Sequence, residues 1–266
     1  MAVLLLLWLA ALLASSSASA PGFDYFVLAL QWPGTVCRSS AAGGPCCSSN
    51  ACCRSDRIGW FTIHGLWPSY AHGNGPTCCN NPDFDMAKIS NLTMEFQKYW
   101  PSLYCSTPSL CSGGHGSLWA HEWEKHGTCS YPVIQDEYSY FSTTLHLYSS
   151  YNVTAMLASK FSIGADDGSR YLVADLVATV RSSFGASPLL LCEGGSLQEL
   201  RLCFDKDLKP LDCINGGTGN EYDIIEHGRS CARYISLPSY KPHGGDTSGA
   251  TRRFSANIML AFFDAF

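Results

Sequence analysis

The chain has 266 residues, 46% hydrophobic and 15% charged, with 14 cysteines and a formal charge of −5. That size supports one sizeable core with little room for a second, and the apolar content excludes a disordered chain. The negative balance excludes binding of nucleic acid by overall charge, so a polyanion has to be met by a local cationic site, to which the 8 histidines contribute once they charge below about pH 6.

Residues 1–20 read as a targeting segment. Met1 to Leu13 is almost wholly apolar and Ala14 to Ala20 is small, the pattern of a secretory signal peptide too short to span a membrane. It has no basic side chain, and Ala18-Ser19-Ala20 fits a cleavage site, so the mature chain starts between Ser19 and Phe23. The even cysteine count agrees with secretion and disulfide bonding. Cys46-Cys47, Cys52-Cys53 and Cys78-Cys79 are adjacent pairs, which lack the Cys-x-x-Cys spacing of a zinc hook and usually bridge to two different places. Asn91-Leu92-Thr93 and Asn152-Val153-Thr154 are glycosylation sequons, so Asn91 and Asn152 are candidate glycan sites.

Phe23 to Trp32 is an aromatic and β-branched run closed by Pro33-Gly34, which predicts a buried strand and a turn. Thr35 to Asp56 has no period and reads as a disulfide-stapled loop. Ile58 to His64 predicts a strand, followed by loop over Gly65 to Gly75. Phe84 to Trp100 predicts one amphipathic helix stopped by Pro101. Tyr104 to Gly116 is a second cysteine-bearing loop. Helices follow over Leu118 to His126, ending at Gly127, then Gln135 to Tyr151, Val153 to Phe161 and Arg170 to Phe184, with Gly185 as a stop. Pro188 to Cys192, Leu197 to Asp205, Leu208 to Cys213 and Cys231 to Leu237 predict strands. Residues 241–266 differ in kind: a Gly-rich linker, then an apolar end from Phe254, which reads as a C-terminal extension outside the fold.

Trp119 to Cys129 concentrates the ionisable groups. His121-Glu122 followed by His126 has a zinc-like look, but the second histidine comes at i+5. In a regular helix that splays the two by about 140°, which argues against a metal shared between them. His121 with Lys125, and Glu122 with His126, are instead i, i+4 pairs, so one face carries two imidazoles, a carboxylate and an ammonium. On an ordinary helix this is a solvated charged face, yet bulky Trp119 and Trp123 flank it and a solvated face does not need them. The set suits cleavage of RNA by its own 2′-hydroxyl. That reaction needs a base, an acid and cations for the charge on phosphorus, and requires neither metal nor cofactor.

The segments His64-Gly65-Leu66-Trp67-Pro68 and His121-Glu122-Trp123-Glu124-Lys125-His126-Gly127-Thr128-Cys129 resemble the two active-site motifs of the ribonuclease T2 family of acid endoribonucleases, in the family's order. The likeness covers roughly Phe23 to Tyr240 and is nearest the plant S-like branch. It implies an α+β fold in a single domain over 21–240: a central, mostly antiparallel sheet with packed helices, stapled by disulfides. It also implies His126 as base, His64 as acid and His121 as phosphate holder. Glu122 and Lys125 stabilise the pentacovalent state, and Trp67 stacks on a base or buttresses His64. Gln31 matches a base-contacting position. Ser69 and Leu118 depart from the family pattern, and His72, His115, His146, His227 and His243 have no motif context.

Disulfides implied by the resemblance are Cys37–Cys46, Cys47–Cys79 (or Cys78), Cys105–Cys129, Cys192–Cys231 and Cys203–Cys213. The expected protein is a monomer that acts on single-stranded RNA and is extracellular or vacuolar, with residues 241–266 as a sorting propeptide. Recognition or defence within the same fold is the alternative. The pollen-recognition members tend to be basic, and the acidic charge here argues for RNA turnover.

Overall fold

A computed structural model of the chain describes residues 22–38, 46–72, 75–79, 83–106, 108–165, 168–213 and 230–242. The expected signal peptide, the C-terminal extension beyond 242, His227 and His243 lie outside the described residues.

The apolar run near the start forms β1 (Tyr25–Gln31), every residue of which is buried. Pro33 then opens a one-turn helix, α1 (Pro33–Val36), where its fixed φ suits the first helical position. β2 (Thr62–Ser69) begins four residues later than the sequence predicted and takes in the first part of the expected loop, from Gly65 to Ser69. Pro68 is tolerated there because β2 is an edge strand. The single helix expected from Phe84 to Trp100 is a 3-10 segment, Met86–Leu92, followed by α2 (Thr93–Tyr99). Ser90 and Asn91, weak helix formers, sit at the break.

Next come α3 (Leu118–Lys125), α4 (Glu137–Ser150), α5 (Val153–Ala158), β3 (Tyr171–Leu172) and α6 (Val173–Phe184). Gly185, at φ 95°, caps α6 in the left-handed region as the sequence predicted. The chain closes with β4 (Leu189–Glu193), β5 (Ser196–Phe204), β6 (Pro210–Leu211) and β7 (Tyr234–Ile235).

The main sheet is antiparallel in the order β2-β1-β5-β4, with β6 on β5. Alternation sorts its faces. Phe26, Leu28 and Leu30 of β1 and Leu200, Leu202 and Phe204 of β5 meet Phe96, Trp123, Tyr140, Phe141 and Val180 from the helices, and Trp100 just after α2, in one core. Each such side chain contributes about 1.5–3 kcal/mol by leaving water. The opposite face carries Tyr25, Val27 and Cys203 beside Trp67. The result is a single α+β domain.

All fourteen cysteines are paired, as Cys37–Cys52, Cys46–Cys53, Cys47–Cys105, Cys78–Cys111, Cys79–Cys129, Cys192–Cys231 and Cys203–Cys213. The last two pairings agree with the expectation. Cys37–Cys46, Cys47–Cys79 (or Cys78) and Cys105–Cys129 are corrected. Cys37 caps α1 and meets Cys52 in a small second core with Leu103 and Tyr240, which leaves Cys46 to Cys53. Adjacent cysteines face apart, so each Cys-Cys pair splits between two partners.

Candidate active site

His64 owes its position to an irregularity in β2. Ala29 pairs with Gly65 and Leu30 with Ile63, so His64 is the extra residue of a bulge and has no register partner. Strict alternation would put His64 and Trp67 on opposite faces. The bulge resets the pleat, sends Leu66 into the core and brings Trp67 edge-on to His64 at 4.9 Å between ring centroids.

Behind His64 is a buried ion-pair chain. Its Nδ1 lies 2.8 Å from Glu199 Oε2, and Arg201 Nε donates to Glu199 Oε1 at 2.7 Å. Glu199 and Arg201 are alternate residues of β5 and share a face. Burial pushes the Glu199 carboxyl up, but Arg201 and His64 outweigh it and hold the pKa at about 2. An ionised Glu199 only accepts, so the proton sits on His64 Nδ1 and leaves Nε2 for chemistry. Burial works against the His64 imidazolium, yet the hydrogen bond and charge of Glu199 prevail and raise its pKa above the usual 6.5. The side chain keeps 32% of its surface. Its backbone carbonyl accepts from Trp100 Nε1 at 2.9 Å, tying the bulge to the core.

The second group of residues comes from α3. Ser117 caps the helix by accepting from the Ala120 amide, and regular geometry ends at Lys125. His126 is the C-cap, at φ −119° and ψ −47°. Because the chain leaves the helix there, the 140° separation expected for His121 and His126 does not hold, and their ring centroids are 6.2 Å apart. His121 Nδ1 donates to the Ser109 carbonyl at 2.6 Å, which fixes its tautomer. Burial lowers the His121 pKa, and Lys125 lowers it further. His126 is driven well below 6.5 by burial, then by Lys125, His121 and His64.

Glu122 is 1% exposed and accepts from Trp67 Nε1 at 2.8 Å. Burial raises its pKa to about 7 against the opposing pull of His64 and the Trp67 hydrogen bond. Gly65 makes this contact possible, since a Cβ there would overlap both the Glu122 carboxylate and the Trp67 indole. The Arg201 guanidinium sits over Trp67 at 5.2 Å, and His126 is tilted against it at 5.4 Å. Trp123 and Trp119 pack inward instead: Trp123 against Tyr140 at 5.8 Å, Trp119 against Phe96 at 5.1 Å.

His64, Trp67, His121, Glu122, Lys125 and His126 are therefore assembled in one place. Gln31 is 7% exposed and pairs with Glu199 across β1 and β5, beside the site. Ser69 is buried on β2, while Asn91 and Asn152 are exposed; the Asn152 side chain caps α5.

Three residues were missed from the sequence. Glu199 and Arg201 carried a signal: opposite charges two apart in a largely apolar, buried strand. Glu124 carried none. It is buried and accepts from the Cys111 and Ser112 amides at 3.1 and 3.4 Å, pinning the loop whose Ser109 carbonyl holds His121. Cys78–Cys111 ties the same loop, and Cys79–Cys129 ties the exit of α3, the task expected of Cys105–Cys129.

This arrangement offers an imidazole whose protonated form a carboxylate favours, a second imidazole that burial and neighbouring charge hold toward its neutral form, and the Lys125 side chain beside them. Residues 23–213 match the ribonuclease T2 family. Ribonuclease 1 of Arabidopsis thaliana is 34% identical over 232 residues, covering 85% of this chain and 91% of the relative. Ribonuclease S-4 of Pyrus pyrifolia is 35% identical over 209 residues, covering 75% and 84%. Among solved structures, trichomaglin, described as a novel S-like ribonuclease, has a TM-score of 0.72 at 42% identity, covering 82% of this chain and 99% of its own. RNase NT in complex with 5′-AMP has a TM-score of 0.64 at 28% identity, covering 82% and 99%. On these matches, together with a fold and a site of the kind described, the chain belongs to the ribonuclease T2 family and is a T2-type endoribonuclease.

Proposed function

We propose that the enzyme cleaves single-stranded RNA by metal-independent acid–base transesterification, with His126 as base and His64 as acid. The observation that carries this reading is the contrast between the two imidazoles. His64 is hydrogen-bonded to ionised Glu199, whereas the charges that act on His126 are Lys125, His121 and His64. Environments that push two groups in opposite directions assign them opposite roles.

His126 takes the 2′-hydroxyl proton as O2′ attacks phosphorus. The P–O5′ bond then breaks, and His64 gives its proton to O5′. The products are a 2′,3′-cyclic phosphate and a free 5′-hydroxyl. Water opens the ring with the roles reversed: His64 receives the proton of water, and His126 returns one to O2′. His121 and Lys125 hold the phosphate. Glu122, protonated below about pH 7, donates to a phosphoryl oxygen without repelling it. Trp67, enclosed by His64, His126, Glu122 and Arg201, supports the buttressing role over base stacking.

Activity requires pH above the depressed His126 value and below the raised His64 value, a window that opens on the acidic side of the ordinary imidazole range. His126→Ala or His64→Ala is expected to lower kcat by about 10²–10⁴ on a dinucleoside phosphate, with EDTA without effect. A near-normal rate in either variant removes that histidine from its role. Loss of activity in EDTA overturns the metal-free chemistry.

Seven disulfides need an oxidising compartment. With the similarity to extracellular ribonuclease LE of Solanum lycopersicum, they support secretion; the enzyme is proposed to act as a monomer, with vacuolar delivery dependent on residues 241–266.

A further inference from the structure

A groove outside the catalytic centre plays no part in the steps above. We propose that it is a track for additional nucleotides of single-stranded RNA, running from the start of α3 past Tyr104 to Arg54, Arg57 and Lys98. The inference rests on the endoribonuclease reading and extends it to how longer substrates are held.

The near end is a cavity of about 270 Å³ lined by Leu118, Trp119, Tyr104, Pro108 and Arg54, among others. Leu118 and His121 are i, i+3 neighbours on α3, and Pro108 adjoins Ser109, whose carbonyl holds His121. The cavity therefore adjoins both the helical turn and the loop that carry and hold the imidazole proposed to bind the scissile phosphate. At the far end Arg54 also lines a second hollow, of about 340 Å³, with Arg57, Trp60, Met94, Lys98 and Asp56. Across the two hollows three cations face one carboxylate, in a chain whose net charge is −5.

Cations interleaved with aromatic rings are what single-stranded nucleic acid binding uses: charge follows the backbone, and bases stack on rings. Tyr104 and Trp60 supply the rings, and Met94, 82% exposed, adds apolar surface. The track is preformed. Arg54 donates from Nη1 to the Gln97 carbonyl at 2.7 Å, and its own carbonyl accepts from Tyr240 Oη at 2.6 Å. Cys46–Cys53 and Cys47–Cys105 fix the backbone next to Arg54 and Tyr104. Little ordering free energy is then lost on binding.

The test compares a dinucleotide with a hexanucleotide in two readouts on the full chain. Binding of fluorescent 2′-deoxy oligonucleotides, which lack the attacking hydroxyl, is followed by anisotropy. Cleavage of the matching RNAs gives kcat/KM. The wild type is expected to bind the hexamer at least about tenfold more tightly than the dimer. Arg54→Ala should reduce the slope of log K against log salt for the hexamer by about 0.7, the value for one phosphate contact on a single strand. Tyr104→Ala should weaken the hexamer about fivefold or more. Both variants should cleave the dinucleoside phosphate at the wild-type rate, which also shows that they fold; Lys98→Ala is the second cation variant.

Equal affinity for dimer and hexamer overturns the track, as do variants that leave the hexamer unchanged. Displacement of the hexamer by a poly-glutamate peptide at equal charge overturns its assignment to RNA. Failure of the wild type to cleave the dinucleoside phosphate, with Arg54- and Tyr104-dependent hexamer binding intact, refutes the catalytic reading alone.

Discussion

Glu199→Gln isolates what the buried ion-pair chain does for catalysis. The carboxylate lies 2.8 Å from His64 Nδ1, and glutamine keeps an oxygen to accept that hydrogen bond while losing the charge. An opposite charge at this range shifts a pKa by about 1–3 units, equal to about 1–4 kcal/mol in favour of the imidazolium. In the variant, burial and the Arg201 guanidinium, both of which lower the His64 pKa, are opposed only by the retained hydrogen bond and the charge of Glu122. The folded value is raised in the wild type, so imidazolium stabilisation is full below 6.5 and is lost as pH rises through that raised value. Removing it moves the alkaline limb of the kcat/KM profile to lower pH by about 1–3 units. The assay is cleavage of a dinucleoside phosphate from pH 4 to 9, with a parallel NMR titration of the His64 ring. Arg201 loses its partner, which costs about 3–5 kcal/mol of stability. The double variant Glu199→Gln/Arg201→Met removes that stranded charge and should place the limb between the single variant and the wild type. An alkaline limb that stays in place, or moves upward, refutes the reasoning.

Glu122 links stability to pH with the opposite consequence for a carboxyl. Its folded pKa of about 7 exceeds the ordinary 4.5, so the folded state keeps a proton that the unfolded chain releases. Stability falls as pH rises between these values, by about 3 kcal/mol in all. Glu122→Gln should flatten that dependence in urea unfolding; curves that stay parallel to the wild type contradict the assignment. Gly65→Ala tests the close approach of β2 to α3. The added methyl overlaps Glu122 and Trp67, so stability should fall by about 1–3 kcal/mol and kcat by about 10², read by thermal unfolding and steady-state cleavage. Unchanged kcat would mean that the Trp67–Glu122 contact does not position the site.

Much of the fold follows from local pattern. The apolar run of β1 and the Gly185 stop of α6 place those elements close to where they lie, and the helix and strand expected at α4 and β5 lie there too. Misplacements came where a tertiary contact overrode local preference. β2 continues through Gly65 and Pro68 because β1 supplies hydrogen-bond partners along its length. The 84–100 segment splits because Asp85 caps a 3-10 turn ahead of α2.

By itself the sequence determined the chemical inventory: two histidine-bearing motifs, a carboxylate and a lysine at helical spacing, and enough cysteines to staple a domain with disulfides. Those are matters of residue type and short-range period. Tertiary structure alone decided how the inventory is arranged and charged. A bulge in β2 turned His64 and Trp67 to one face, the C-cap of α3 brought His126 to His121, and β5 delivered Glu199 and Arg201 from 135 residues away. The disulfide partners also depended on which loops meet in space. Burial and long-range charge set the protonation of each imidazole, and neither quantity exists until the chain has folded.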